Sequence, residues 1–374
     1  MQTCENPTVT SQPIDEVLAL IVSVNDTTQW LLIAHKLNKL SEAQLRSYTS
    51  DNLDPLTILD PAVHSLGYLY FITARCLIAD ADNAGQLLQM LCHFIDVVDI
   101  QQLRLAPARV AMVATALEHL ATSLEKPMVP VLPLMTAIEK MASSPHVLTS
   151  LHAPLAKCCL LAKAYKYPLR ILDQDIETVD PVTYATSIVS FLEYHYYGAM
   201  IYIGNKNFDR ALDFLILVIS APTQNAVSAI QLEAFKKYSL VSLIHDGQWR
   251  TLPKYTSVMV TKSAKIRCLP YYEISKAFDN TDIRQFETLF DKHRAVFESD
   301  NHIGLMKQCH EALYRKRIKE LTNVYMTVGI PDIAKKLDTM EPVSDEKVER
   351  ILVDMVRDRL ICTLSKILKK EGKW

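Results

Sequence analysis

Glycine is the residue this chain most lacks: 374 residues contain only 8, where average usage of roughly 7% would supply about 26. Hairpin turns, bulges and phosphate-cradling loops all draw on its freedom at positive φ. Their shortage argues against β-rich and nucleotide-binding architectures and favours helices joined by short connections. A net charge of either sign is also missing, with 40 Lys and Arg against 42 Asp and Glu, so no global field steers the molecule to nucleic acid or a membrane surface. No apolar run approaches the roughly 18 to 20 residues that cross a bilayer, and the segment Met1 to Gln12 has neither the basic nor the apolar part of a secretory leader. A soluble, intracellular protein is expected, with no membrane partner.

Catalytic patterns are missing too. No histidine stands two or four residues from another, which removes the H-E-x-x-H and H-x-H arrangements of zinc hydrolases. There is no G-x-S-x-G elbow and no G-x-G-x-x-G, and Gly198, Gly204 and Lys206 have the wrong spacing for a phosphate loop. The eight cysteines (Cys4, Cys76, Cys92, Cys158, Cys159, Cys268, Cys309 and Cys362) form no C-x-x-C pair, so reduced, mostly buried thiols are expected. His302, Cys309 and His310 are close in sequence, as are His152, Cys158 and Cys159, but neither spacing makes a chelating pair, and both groups read as structural. These absences together predict no catalytic residue, no metal, no cofactor and no small-molecule substrate.

What is present is helix. Roughly half the residues are apolar, and between most of the 17 prolines they recur at intervals of 3, 4 and 7 rather than 2. Helices are predicted at 14–24, 30–40, 62–79, 84–98, 108–124, 131–141 and 151–165. No Ser/Gly linker separates them, so residues 1–190 read as a continuous stack. From Glu193 a helix, a turn at Gly204-Asn205-Lys206-Asn207 and a second helix make one hairpin. Tyr202, Phe208 and Ala211 within it have the spacing by which tetratricopeptide-type hairpins nest a small residue against an aromatic. A weaker echo follows 41 residues later, where Asp246-Gly247-Gln248-Trp249 ends a helix over 226–245 and Trp249 takes the place of Phe208.

The C-terminal region changes character. Tyr314, Ile318, Leu321, Tyr325 and Val328 predict one helix ended by Gly329, and Pro331 opens a short second one. Ser344 followed by Asp345 and Glu346 opens a third, with Val348, Ile351, Leu352, Met355 and Val356 inward. Leu360, Ile361, Cys362, Thr363 and Leu364 then read as a strand. Three helices and a β-segment are the ingredients of a winged helix, here with an incomplete wing. The basic run Arg315-Lys316-Arg317-Ile318-Lys319 admits DNA binding, but the acids Asp345, Glu346, Glu349, Asp354 and Asp358 on the third helix would repel phosphate. A solvated or protein-contacting face is the favoured reading, and no nucleic-acid partner is expected.

Several of these stretches resemble the PCI-domain family, shared by the proteasome lid, the COP-nine signalosome and a translation initiation complex. They are His64 to Phe71, the hairpin from Tyr196 to Leu212, Gln231 to Tyr255, Gly304 to Thr322 and Pro331 to Ala334. The resemblance runs from about residue 60 to 361, is specific between 191 and 337, and is nearest to a signalosome member. It implies a right-handed α-solenoid of helical-hairpin repeats (1–190), the helical-repeat part of a PCI domain (191–303), its winged helix (304–365) and a short tail (366–374). It further implies a non-catalytic scaffold subunit of the cytoplasm and nucleus that associates edge to edge with other PCI-domain subunits. In that arrangement Leu360 to Leu364 would be the pairing strand, and a zinc site on a different subunit would strip a ubiquitin-like modifier from cullins. Two departures stand out. Arg359 follows Asp358 where the family usually has glycine, and the sequence stops at Trp374 before the family's long C-terminal helix, as in a C-terminally shortened member.

Overall fold

The computed structural model describes residues 13–24, 27–223, 226–325, 328–340 and 342–361. Their regular structure is almost wholly helical, and the chain divides into two compact units between Asn205 and Lys206.

In the first unit the long helices are α1 (Pro13–Ser23), α2 (Thr27–Leu37), α3 (Ser65–Cys76), α4 (Ala84–Val97), α5 (Pro107–Ser123), α6 (Val131–Met141), α7 (His152–Leu161) and α8 (Ile188–Gly204). Packing follows sequence order: α1 on α2, α2 on α3, α3 on α5, α4 on α5 and α6, α5 and α6 on α7, and α7 on α8. Each helix therefore buries its apolar stripe against near neighbours, as stacked repeats do. Helix α3 is the most enclosed, with every residue from Ser65 to Ala74 buried. A Cβ on Gly67 would lie 2.8 Å from Cδ1 of Ile21, so glycine here lets α3 approach α1. The amide of Leu66, at the start of α3, donates to Oε1 of buried Gln102 at 2.9 Å, while Nε2 of Gln102 donates to the Val63 carbonyl. That exchange satisfies polar groups at the helix start that burial would otherwise orphan.

Val147–Leu148 pairs in parallel with Thr178–Val179, a two-residue ladder between connecting segments that no alternation in the sequence marks. The helix expected over 151–165 is also shorter, because Lys163 turns left-handed at φ +54 and the Ala164 amide donates back to the Cys159 carbonyl.

This ending recurs and explains how a glycine-poor chain stops its helices. Glu125, Lys163, Thr281, Asn301 and Arg359 all have positive φ. Behind each, the next amide closes a six-residue loop: Lys126 to Ala121, Ala164 to Cys159, Asp282 to Ala277, His302 to Phe297 and Leu360 to Met355. These are Schellman turns, in which glycine is the usual left-handed residue. A side chain there costs about 1–2 kcal/mol. Among the described residues Gly247, at φ +67, is the one glycine in that conformation, and it ends its helix as the sequence predicts.

The second unit holds α9 (Phe208–Ser220), α10 (Ala229–Asp246), α11 (Val258–Arg267), α12 (Leu269–Asp279), α13 (Ile283–Lys292), α14 (Ile303–Val324), α15 (Ile330–Lys336) and α16 (Asp345–Arg357). Helix α10 is its axle, packing on α9, α11, α12 and α14. Ser228 opens it with a capping box, accepting from the Ile230 amide while Oε1 of Gln231 accepts from the Ser228 amide. Asn207 caps α9 through the Arg210 amide. Trp249 departs from its expected role: it opens no helix, and instead meets Tyr272 edge-on at 5.2 Å from a connecting segment, its amide donating to Asp279.

Glu125→Gly and Lys163→Gly, both at exposed left-handed turns, should each raise stability by about 0.5–1 kcal/mol, the relieved strain outweighing glycine's extra unfolded-state entropy. Urea denaturation reads this directly. A lowered midpoint for both variants would contradict the strain account.

Candidate subunit-docking module

The three C-terminal helices form where the sequence places them. Helix α14 buries Met306, Cys309, Leu313, Tyr314, Ile318 and Leu321, recurring at helical intervals. Its end differs from the sequence reading: the helix stops at Val324, and Tyr325 is extended and 42% exposed. Gly329 does not terminate α14 but serves as the extended N-cap of α15, directly ahead of Ile330 and Pro331. Tyr314 is thus a core residue and Tyr325 a surface one, whose hydroxyl accepts from Nζ of Lys336 at 3.1 Å. Helix α16 starts at Ser344, whose hydroxyl accepts from the Lys347 amide, and Asp345 and Glu346 sit in its first turn at the positive end of the dipole. It buries Val348, Leu352 and Met355 and packs on α15.

Polar contacts fix these helices to one another. Glu287 on α13 accepts at Oε1 from Nε2 of His310 (2.9 Å) and the Tyr314 hydroxyl (3.3 Å), and at Oε2 from the Met340 amide (2.7 Å). One carboxylate thereby ties α13, α14 and the segment leading to α16. Lys347 lies over the Tyr314 ring at 4.8 Å, and Arg315 pairs with Asp358 at 3.0 Å.

Those contacts decide the reading of the basic run. Arg315 is taken by Asp358; Lys316 donates to the carbonyls of Phe278 and Asp279, at the negative end of α12; Arg317 pairs with Glu320 and reaches the Lys336 carbonyl. Three of its four cations thus make contacts within the fold, two of them in half-exposed ion pairs.

Beneath the module lies a chain of buried polar groups. Lys237, on the enclosed helix α10, contacts Nε2 of His302 at 2.9 Å; Nδ1 of His302 meets the Tyr271 hydroxyl at 2.6 Å; that hydroxyl donates to Oδ2 of Asp300 at 2.7 Å. Since Tyr271 donates to Asp300, the Nδ1 proton of His302 must donate to Tyr271, leaving Nε2 to accept from lysine. Burial, followed by the charge of Lys237, pushes His302 down to about 3, which keeps it neutral as that tautomer requires. Burial likewise pushes Lys237 down to about 8. Asp300 also accepts from Lys236 at 2.9 Å; burial opposes its ionisation, but the hydrogen bonds from Tyr271 and Lys236 hold its pKa below the usual carboxylate value.

The other sequence candidates disperse into structural roles. His310 is bound to Glu287, and the thiol of Cys309 donates to the Leu240 carbonyl, so the two do not converge with His302. His152 is buried, its Nδ1 against Thr149, and burial pushes it down to about 4. Burial raises Cys158 and Cys159 to about 12, the opposite of an activated nucleophile. Among the described residues no group of three or more His, Cys, Asp or Glu could hold a metal ion, and no helix is long and apolar enough to cross a membrane.

Of the proposed pairing strand, Leu360 is 43% exposed and Ile361 buried, while Cys362, Thr363 and Leu364 lie outside the described residues. The tight turn into it is made despite the missing glycine: Arg359 takes φ +57, and the Leu360 amide closes on the Met355 carbonyl at 2.8 Å.

Stacked helical repeats leading into the helices of a PCI domain define a scaffold class. Residues 28–260 match the family of COP9 signalosome complex subunit 3 N-terminal helical repeats, and residues 290–362 match the PCI domain. COP9 signalosome complex subunit 3 of Arabidopsis thaliana is 35% identical over 361 residues, 96% of this chain and 81% of that protein. Its counterpart from Dictyostelium discoideum is 30% identical over 339 residues, 90% of this chain and 79% of that protein. The chain belongs to the COP9 signalosome complex subunit 3 family.

Tyr271→Phe breaks the buried chain at its centre and should cost about 1–3 kcal/mol in urea unfolding, the range for orphaning buried hydrogen-bonding groups. His302 is held below its ordinary 6.5, so the fold favours its neutral form. Its stabilisation is complete above pH 6.5 and is lost as pH falls from there towards 3. The urea midpoint should therefore decline from pH 6.5 to 5, less steeply in His302→Gln; equal slopes in the two proteins would refute the assignment.

Proposed function

We propose that this protein is a non-catalytic scaffold subunit of the COP9 signalosome, acting on cullin-based ubiquitin ligases only within the assembly. The observation that carries this is the similarity along 96% of the chain to a curated subunit 3, spanning both the helical repeats and the PCI module. Among the described residues, the burial that pushes the Cys158 and Cys159 thiols up, and the dispersal of His152, His302 and His310 into structural contacts, support that reading. Removal of the ubiquitin-like modifier from cullins would then be performed by a zinc-bearing partner, in the cytoplasm and nucleus.

Its partners in this reading are other PCI-domain subunits. The residues Leu360, Ile361, Cys362, Thr363 and Leu364 pair their backbone with a neighbouring subunit's strand, so affinity comes from main-chain hydrogen bonds and specificity from alternate side chains. The turn at Arg359, which directs the chain out of α16, supports this placement.

Affinity purification of the tagged chain followed by mass spectrometry should recover the other signalosome subunits. Recovery of proteasome-lid or initiation-complex subunits in their place would reassign it within the PCI class. Thr363→Pro removes an amide from the proposed strand. It should reduce recovery of PCI partners about tenfold or more, and undiminished recovery would dismiss the strand as the pairing edge.

A further inference from the structure

Helix α11 turns a face to solvent that neither the helical core nor the proposed pairing strand uses. It packs on α10 and α12 through Val260 and Ala264, one turn apart. The opposite side carries Val258 (65% exposed), Met259 (43%) and Ile266 (79%), extended at its two ends by Tyr255 (73%) and Leu269 (51%). Large apolar side chains this exposed are normal singly; three on one face of one helix, with Tyr255 before it and Leu269 after it, form a patch. Its charge is one-sided. Between Gly247 and Tyr272 there is no acidic residue, while Lys262 and Lys265 lie within the apolar face and Lys254 and Arg267 flank it. All four cations are exposed, and none forms an ion pair with a described residue.

We propose that this face is a docking site for an acidic amphipathic helix of a partner protein, one carrying apolar side chains at intervals of 3 and 4 with carboxylates beside them. Val258, Met259 and Ile266 would receive the apolar anchors, and Lys262 and Lys265 the carboxylates, in the helix-in-groove manner by which apolar anchors set affinity and charges set orientation and on-rate. Neither residues 1–12 nor residues 362–374 fit this face by charge: the first contain a single acid, Glu5, and the second contain Lys366, Lys369, Lys370 and Lys373 against Glu371. Nucleic acid would satisfy the cations but leave Val258, Met259 and Ile266 in water. A membrane surface would need a broader apolar face than one helix fixed at its back by α10 and α12 can offer.

The test uses the full chain and three fluorescent peptides: leucine and glutamate at helical spacing, the same composition scrambled, and the first with lysine replacing glutamate. Anisotropy should show binding of the first alone, weakening as salt screens the charges. The Lys262→Glu/Lys265→Glu variant should lose affinity about tenfold or more, and Ile266→Asp likewise. All these side chains are exposed, so both variants should keep the parent's thermal midpoint; should one not fold, the other carries the result. Equal binding of the scrambled peptide, or parental affinity in the variants, would overturn the proposal. So would binding confined to phosphatidylserine vesicles or RNA, or a variant-sensitive self-association in light scattering, each of which hands the face to a different occupant.

Discussion

The second unit is built on a helix whose middle is almost wholly enclosed. Helix α10 contacts four other helices and buries eleven of its eighteen residues, Lys237 among them. A cation so enclosed is tolerable only when its charge is met by well-placed partners, and the geometry that provides them is exacting. Lysine donates to a neutral histidine, the histidine to a tyrosine, and the tyrosine to a carboxylate that a second lysine also holds. Those groups come from α10, from α12 and from the turn immediately ahead of α14. The orientation at which α14 begins is therefore tied to a chain of hydrogen bonds that works in one protonation state, and α14 is the first helix of the module proposed to join the assembly.

The second constraint is the shortage of glycine. Helices need to stop sharply for short connections to work, and the usual residue for that stop is rare here. The chain accepts side chains in the left-handed conformation at turn after turn and closes each with the same backbone pair. Strain of about 1–2 kcal/mol at each is small beside the burial that well-terminated helices permit. The same tolerance settles the turn at Arg359, where the departure from the family pattern costs some stability and leaves the geometry intact.

The helices were legible in the sequence because their apolar spacing and their caps agree. Ser344 before Asp345 and Glu346, Gly247 after Asp246, and Pro107 at the start of α5 each mark a boundary to within a residue. Boundaries failed where the stop signal was not a glycine or proline, as at Lys163, or where a glycine served the following helix, as Gly329 does for α15. Tyr325 misled because its spacing continues that of α14 although its backbone has already left the helix. The parallel ladder of Val147–Leu148 with Thr178–Val179 is too short for any alternation to register. The Lys237, Tyr271, Asp300 and His302 cluster was hidden for a different reason: only tertiary packing unites residues up to 65 positions apart. Cys309 and His310 are neighbours of His302 in sequence but not in chemistry. The resemblance to PCI proteins, by contrast, rested on long stretches whose residues sit in the core, such as Gly67 against Ile21 and the buried face of α10.

The proposed scaffold role is tested most directly by reconstitution. Removal of the ubiquitin-like modifier from a cullin would be followed with this chain alone, with the remaining signalosome subunits alone, and with the two combined. No activity is expected from the chain by itself, and its addition should change how completely the other subunits co-elute as one particle. Modifier removal by the isolated chain, or a complete particle that assembles to the same extent in its absence, would contradict the scaffold role.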